Sequence, residues 1–323
     1  MLAVHAADSE MRYHSRNIAS TLSPVSMPSV AFLGLGAIGR PMAAHLAHAP
    51  GVTLAVWNRT AGKAATFAAE HGARHALTPA DAAQGCDVVI TCLPVSADVE
   101  SLLDGRDGLL DAMSERTVLV DCTSGDPATS RRIAARLADK GIGYLDAPVS
   151  GGVKGAESGT LTVMVGGDAE CLERVRPTLE TFAKKIVHCG AVGAGDAVKA
   201  VNQALLAIHI WSAGEGLVAL ARLGVKADVA LDVINASSGR SNASMNLFPE
   251  RVLGRAFPRT FRLALLDKDI DIAAVMAREL KVPSPLIQLT ADLMRVAHNA
   301  LGEEADHVEA VKLLEQWAGQ EIT

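Results

Sequence analysis

Six residues, Gly34-Leu35-Gly36-Ala37-Ile38-Gly39, fall between a short apolar run, "SVAFL", and a segment with helical periodicity, "RPMAAHLAHA". The spacing is G-x-G-x-x-G. Alone it is a common pattern, but between a strand and a helix it has a physical meaning. The first glycine makes the turn, the second lets the backbone approach a pyrophosphate, and the third lets helix and strand pack closely. A phosphate then rests on the free N–H groups at the helix N-terminus. The stretch predicts a βαβ unit that binds a dinucleotide, with Gly34, Leu35, Gly36, Ala37, Ile38 and Gly39 forming its phosphate loop.

The segments that follow keep the strand–helix alternation. "VTLAVWNRT", which ends in turn residues, "DVVITCLP", cut by Pro94, "TVLVDCTS", "GIGYLDAPV", "LTVMVGG" and "IVHCG" read as strands. "AGKAATFAAEHG" and "PATSRRIAARLADKG" read as helices, as does "DAECLERVRPTLETFAKK" with Asp168 as its N-cap. Such alternation implies a largely parallel sheet covered on both faces. After Gly193 the strand signal stops, and a long helix is expected from about Asp196 to Leu223, followed by more helices. The expected fold is an α/β Rossmann-type N-terminal domain, residues 27–192, followed by an all-α C-terminal domain, residues 193–323. Two domains suit 323 residues. Residues 1–26 are polar with no continuous apolar block, which argues against a secretory signal. They read as a disordered extension, or as a stretch upstream of a functional start at Met27.

Composition removes several classes of function. A net charge of −6 and only 3% aromatic residues leave no surface suited to nucleic acid. The five cysteines include no C-x-x-C pair, so they read as reduced thiols of a cytoplasmic protein and not as a disulfide framework or zinc site. No histidine shows metal-ligand spacing. The longest apolar candidate, Ala204–Trp211, falls short of the ~18 residues a membrane span needs.

Two places bear on chemistry. The second strand ends in Asn58-Arg59-Thr60, where a chain that binds NAD usually has an acidic residue for the ribose 2′-hydroxyl. The forked guanidinium of Arg59 suits a 2′-phosphate, so NADP is expected ahead of NAD. The alternative is that Asn58 or Thr60 caps the next helix. The second place is Lys199, a lysine in an otherwise aliphatic helix, "AVKAVNQALLAIHIW". Lysine is rarely buried without a partner or a task. Asn202 and Gln203 follow at helical spacing and share its face.

Four motifs occur in order: "GLGAIGRPMA", "DCTSGDP", "DAPVSGGVKGAESGTL" and "GAVGAGDAVKAVNQ". Together they resemble the β-hydroxyacid dehydrogenase family, which includes 3-hydroxyisobutyrate dehydrogenase, tartronate semialdehyde reductase and glyoxylate reductase. The resemblance runs from Met27 to Ala318. It implies hydride transfer between a nicotinamide and a small hydroxyacid or semialdehyde, with Lys199 as general acid and base. It implies that Thr123, Ser150, Gly151, Gly152, Asn202 and Gln203 hold the substrate, and that Leu93, Pro94, Ser124 and Lys268 lie along the cofactor. The order Thr123-Ser124 reverses the family's usual Ser-Thr, though both hydroxyls remain. Asn202-Gln203 is similar to the tartronate semialdehyde reductase side of the family, whereas 3-hydroxyisobutyrate dehydrogenases commonly show Asn-Asn. Imine reductases replace the lysine, and 6-phosphogluconate dehydrogenases are longer. A non-catalytic NADP-binding interaction protein, or a redox sensor using Cys122, is the alternative from another class. Apolar helix faces in the second domain imply a homodimer or homotetramer.

Overall fold

The computed structural model describes residues 28–322, so the extension expected over residues 1–26 lies outside the described residues. One nine-stranded sheet organises the first half. Its strands are β1 (Ser29–Leu33), β2 (Thr53–Trp57), β3 (Arg74–His75), β4 (Val88–Thr91), β5 (Val118–Asp121), β6 (Gly143–Asp146), β7 (Val149–Ser150), β8 (Leu161–Gly167) and β9 (Ala183–Gly190). They lie in the order β3-β2-β1-β4-β5-β6-β8-β7, with β9 paired to β8. From β3 to β6 every pairing is parallel; β8 runs antiparallel to both β6 and β7 and parallel to β9.

β1 shows why these sequences form buried strands. Val30 and Phe32 enter one apolar cluster and Ala31 and Leu33 enter another, on opposite faces of the sheet. A strand buried on both faces reads as a continuous apolar run, and "SVAFL" is one. The chain travels outward from β1 through β2 to β3 and then returns to β4 on the other side of β1. Open α/β sheets bind ligands beyond the strand ends at such a reversal.

Several elements differ from the sequence reading: "GIGYLDAPV", expected as one strand, divides into β6 and β7, and short helices stand at Pro79–Ala83, Ser96–Ser101, Leu109–Ala112 and Gly152–Glu157 where none was expected. β3 is an added two-residue strand beside β2. The helix opened by Asp168 ends at Leu179, well short of the lysines. Ala183–Gly190 instead pairs along β8, so cross-strand hydrogen bonding wins over the helical pattern there.

The second half is helical: Ala194–Arg222, Ala227–Asn235, Leu263–Glu279, Pro285–Leu301 and Val311–Ala318, with a wider π-helical segment at Ala243–Val252. Ala194–Arg222, the junction helix, runs through its centre and buries Ala207, Ile210 and Trp211 in a cluster with Phe248, Leu266, Ile270 and Met294. It is 29 residues long and contains an 18-residue stretch of mean hydropathy 1.6, so by length and composition it could cross a membrane, which corrects the expectation drawn from Ala204–Trp211 alone. Its place as the central helix of an aliphatic core accounts for the same composition.

Candidate active site

The glycine loop sits at the sheet's reversal, and each glycine has a separate steric reason. Gly34 has φ +108°, and a Cβ there would lie 2.3 Å from the Cys92 carbonyl oxygen. A Cβ on Gly39 would lie 2.0 Å from the Gly34 carbonyl oxygen, so the helix Gly39–His48 packs directly on the loop. A Cβ on Gly36 would meet nothing within 4 Å. Gly36 therefore faces open space, which leaves its backbone open to approach from outside. Among the described residues, the amides of Ala37 and Ile38 have no recorded acceptor, and the first helical turn holds no acidic side chain. These are the features a pyrophosphate needs.

Asn58 holds this loop in shape: its Oδ1 accepts the Leu35 amide at 2.9 Å, and its Nδ2 donates to the Thr60 carbonyl at 3.2 Å. Thr60 stands at the N-cap of the next helix without a side-chain cap bond. Capping therefore does not explain this tripeptide. The Arg59 side chain is 82% exposed, with only a loose 3.7 Å contact to Asp98. Leu93 lies against Gly34, and its amide donates to Thr123 Oγ1 at 3.1 Å. Thr123 is fully buried, so its hydroxyl pins the Leu93–Pro94 loop.

Ser150 ends β7, paired with Thr162 of β8. Gly151 follows at φ +137° and Gly152 at φ +63°, values that glycine adopts without penalty. A Cβ on Gly152 would meet nothing within 4 Å, so the turn opens outward.

Lys199 lies in the second turn of the junction helix and is 8% exposed. Burial pushes its amine below the ordinary lysine range, and the neighbouring Lys268 acts the same way, while Asp269 opposes them. Its face-mates divide. Gln203 is buried and donates to Asp269 Oδ2 at 2.9 Å. Asn202 is exposed and reaches only Gln203 Oε1, at 3.3 Å. Lys268 donates to the Ser124 carbonyl, which ties the helix Leu263–Glu279 to the loop after β5.

Sequence reasoning missed three buried aspartates beneath this site. Asp146 closes β6 and caps the junction helix with both oxygens, accepting the Gly193 amide at 2.7 Å and the Asp196 amide at 3.0 Å. Asp196 accepts from the Gly125 amide at 3.1 Å and from Ser130 Oγ at 2.6 Å. Asp121 closes β5 and accepts from Thr91 Oγ1 at 2.8 Å and the Thr123 amide at 3.0 Å. Burial raises all three carboxyls, Asp121 to about 6. Together they hold the loop bearing Thr123 and Ser124 and the start of the helix bearing Lys199 in one frame. The available signal was an Asp ending an apolar run, as in "VLVD" and "GYLD".

A glycine loop at a sheet reversal, with a buried amine near the seam of two folding units, is the arrangement expected of a nicotinamide-dependent oxidoreductase. The comparisons refine that class. A family model described as the NAD binding domain of 6-phosphogluconate dehydrogenase matches residues 29–190, and one described as the NAD-binding domain of NADP-dependent 3-hydroxyisobutyrate dehydrogenase matches residues 193–314. The chain is 36% identical over 295 residues to 2-(hydroxymethyl)glutarate dehydrogenase of Eubacterium barkeri, covering 91% of this chain and 97% of that protein. It is 37% identical over 288 residues to 3-hydroxyisobutyrate dehydrogenase of Pseudomonas aeruginosa, covering 87% and 95%. The solved structure of Mycobacterium tuberculosis 3-hydroxyisobutyrate dehydrogenase with L-serine superposes with a TM-score of 0.82 at 34% identity, covering 89% and 99%. The chain belongs to the β-hydroxyacid dehydrogenase family.

Proposed function

We propose that this oxidoreductase interconverts a small 3-hydroxyacid and its semialdehyde, with Lys199 as the proton-transfer group and NADP preferred over NAD. The observation that carries the reading is the burial of Lys199 without a hydrogen bond or ion pair of its own among the described residues. The relatives' names agree with it, because 2-(hydroxymethyl)glutarate and 3-hydroxyisobutyrate are both carboxylates bearing a hydroxymethyl group.

Bound nicotinamide supplies or accepts the hydride. The chain's own task is then one proton and one carboxylate. In the oxidising direction neutral Lys199 takes the proton from the substrate hydroxyl; in the reducing direction its ammonium returns a proton to the carbonyl oxygen. A lysine serves both directions only if its ammonium is destabilised towards neutral pH, and burial acts that way here. The substrate carboxylate is proposed to bind at the Ser150 hydroxyl and the amides of the Gly151–Gly152 turn, a reading supported by the positive φ of both glycines. The exposure of Arg59, two residues past β2, supports its proposed role as the partner of a 2′-phosphate.

The redox-sensor alternative fares worse. Cys122 is 2% exposed and burial raises its thiol well above the ordinary range, opposite to a reactive thiolate. We also propose a homo-oligomer, since Val198, Val201 and Leu205 leave an exposed apolar stripe along the junction helix. The test is a panel of tartronate semialdehyde, methylmalonate semialdehyde, succinic semialdehyde and glyoxylate with NADPH and NADH. NADPH oxidation by wild type that disappears in Lys199→Ala is the expected result. Undiminished turnover in Lys199→Ala would remove the proposed role.

A further inference from the structure

Asp269 is the nearest thing to a natural partner for Lys199, yet the two do not pair. Asp269 is 3% exposed and its charge acts on Lys199. A buried carboxylate beside a buried amine gains a strong charge-assisted hydrogen bond by moving onto it. Something holds it away. Gln203 Nε2 takes one oxygen, Oδ2, at 2.9 Å. The other, Oδ1, lies 2.9 Å from Lys268 Nζ in an ion pair, but without a hydrogen bond of its own. Lys268 is in turn anchored to the Ser124 carbonyl.

These contacts join three separate parts of the chain: the junction helix, the helix Leu263–Glu279 and the loop after β5. We infer that Gln203 and Asp269 are positioning residues: Gln203 keeps the Asp269 carboxylate off Lys199 and on Lys268, so that Lys199 stays free for proton transfer. The inference rests on the reading of Lys199 as the proton-transfer group and adds a reason for a buried glutamine one helical turn beyond it. Among the described residues, the charged groups that act on Lys199 are Asp269 and Lys268, both from the helix Leu263–Glu279. On its own helix, Asp196 is turned away to Gly125 and Ser130.

The consequence is a pair of opposite effects. With Gln203→Met the carboxylate loses its tether and moves onto Lys199, which stabilises the ammonium. With Asp269→Asn the carboxylate is gone and Lys268 remains, which destabilises it. The measurement is an NMR titration of the full-length protein carrying ¹³C-labelled lysine, with the Lys199 signal assigned by its loss in Lys199→Arg. The expected midpoint of Lys199 rises by about one pH unit in Gln203→Met and falls by about one in Asp269→Asn. If Asp269→Asn does not fold, Asp269→Ser removes the same charge and is likewise expected to lower the midpoint. An unmoved midpoint in folded Gln203→Met, or a fall in it, overturns the inference. The titration needs no substrate and no bound cofactor. Failure of the substrate panel would therefore remove the proposed activity while leaving this coupling to be decided on its own.

Discussion

The two ends of the site are built from different materials. At the glycine loop, backbone does the work: three glycines within six residues, two amides without recorded acceptors, and one asparagine that fixes the turn. At the seam, buried polar side chains do it: Lys199, Gln203, Asp269, Asp121, Asp146 and Asp196, drawn from strands and helices far apart in the chain. A backbone site costs little to build, because amides at a helix N-terminus lack partners in any case. A site of buried charges costs desolvation at every group and survives only if each is held. The loop should therefore fail by steric insult, and the seam by loss or change of a single charge.

The largest effect expected on either side is at the seam. Lys199→Met should lower turnover by roughly 10²–10⁴-fold, the usual share of general acid–base catalysis, with cofactor affinity preserved. Cofactor binding measured by fluorescence beside steady-state rates checks this. A parallel loss of cofactor binding would show that the two ends are not separable.

The glycine loop offers a sharper contrast within itself. Gly39→Ala forces a Cβ to 2.0 Å from a backbone oxygen, so the fold should lose about 3–4 kcal/mol. Gly36→Ala meets nothing in the protein and should leave stability within about 0.5 kcal/mol while weakening dinucleotide binding. Urea denaturation and a binding titration on both variants separate the cases. Equal destabilisation by the two would break the assignment of Gly36 to the ligand.

That contrast also explains what the sequence made legible. Gly34, Gly36 and Gly39 act through local backbone geometry, so a motif of six residues carries the whole argument. Strands such as "SVAFL" were readable because burial on both faces leaves an unbroken apolar run. The tail of the Asp168 helix was misread because its fate depends on β8, a partner its own pattern does not mention. Lys199 was conspicuous as a charge in an aliphatic helix. Asp146 was not, because its partners Gly193 and Asp196 lie 47 and 50 residues away. Asn202 and Gln203 looked equivalent at helical spacing, and only packing against Leu263–Glu279 shows that Gln203 is the buried one.

The buried carboxyls give the seam a pH signature that the loop lacks. Burial raises the Asp121 carboxyl to about 6 in the folded chain, from its ordinary 3.8. Between those values the folded chain holds the proton and the unfolded chain does not, so stability falls as pH rises through that window and stays low above it. The contribution is about 3 kcal/mol. Asp121→Asn keeps an acceptor for Thr91 and Thr123 and removes the charge. It should be more stable than wild type at pH 8 by up to that amount, and the advantage should vanish near pH 3.8. Paired urea melts at the two pH values decide it, and a pH-independent difference would show that Asp121 does not carry the charge.

The smallest effect belongs to the loop's outer edge. Arg59 is exposed, and among the described residues its one ion pair is a long contact with Asp98. Pairs of this kind are screened by water and salt and are worth about 1 kcal/mol or less. If the proposed preference for NADPH over NADH rests on this guanidinium, Arg59→Gln should reduce it by about fivefold at moderate salt, with stability unchanged. The ratio of kcat/KM for the two cofactors, measured at two ionic strengths, is the readout. A ratio that narrows with added salt in wild type but not in the variant places the discrimination on this guanidinium. A ratio insensitive to both salt and substitution would mean that cofactor choice lies in the shape held by Asn58 and Leu35, and so in the backbone, like the rest of that end of the site.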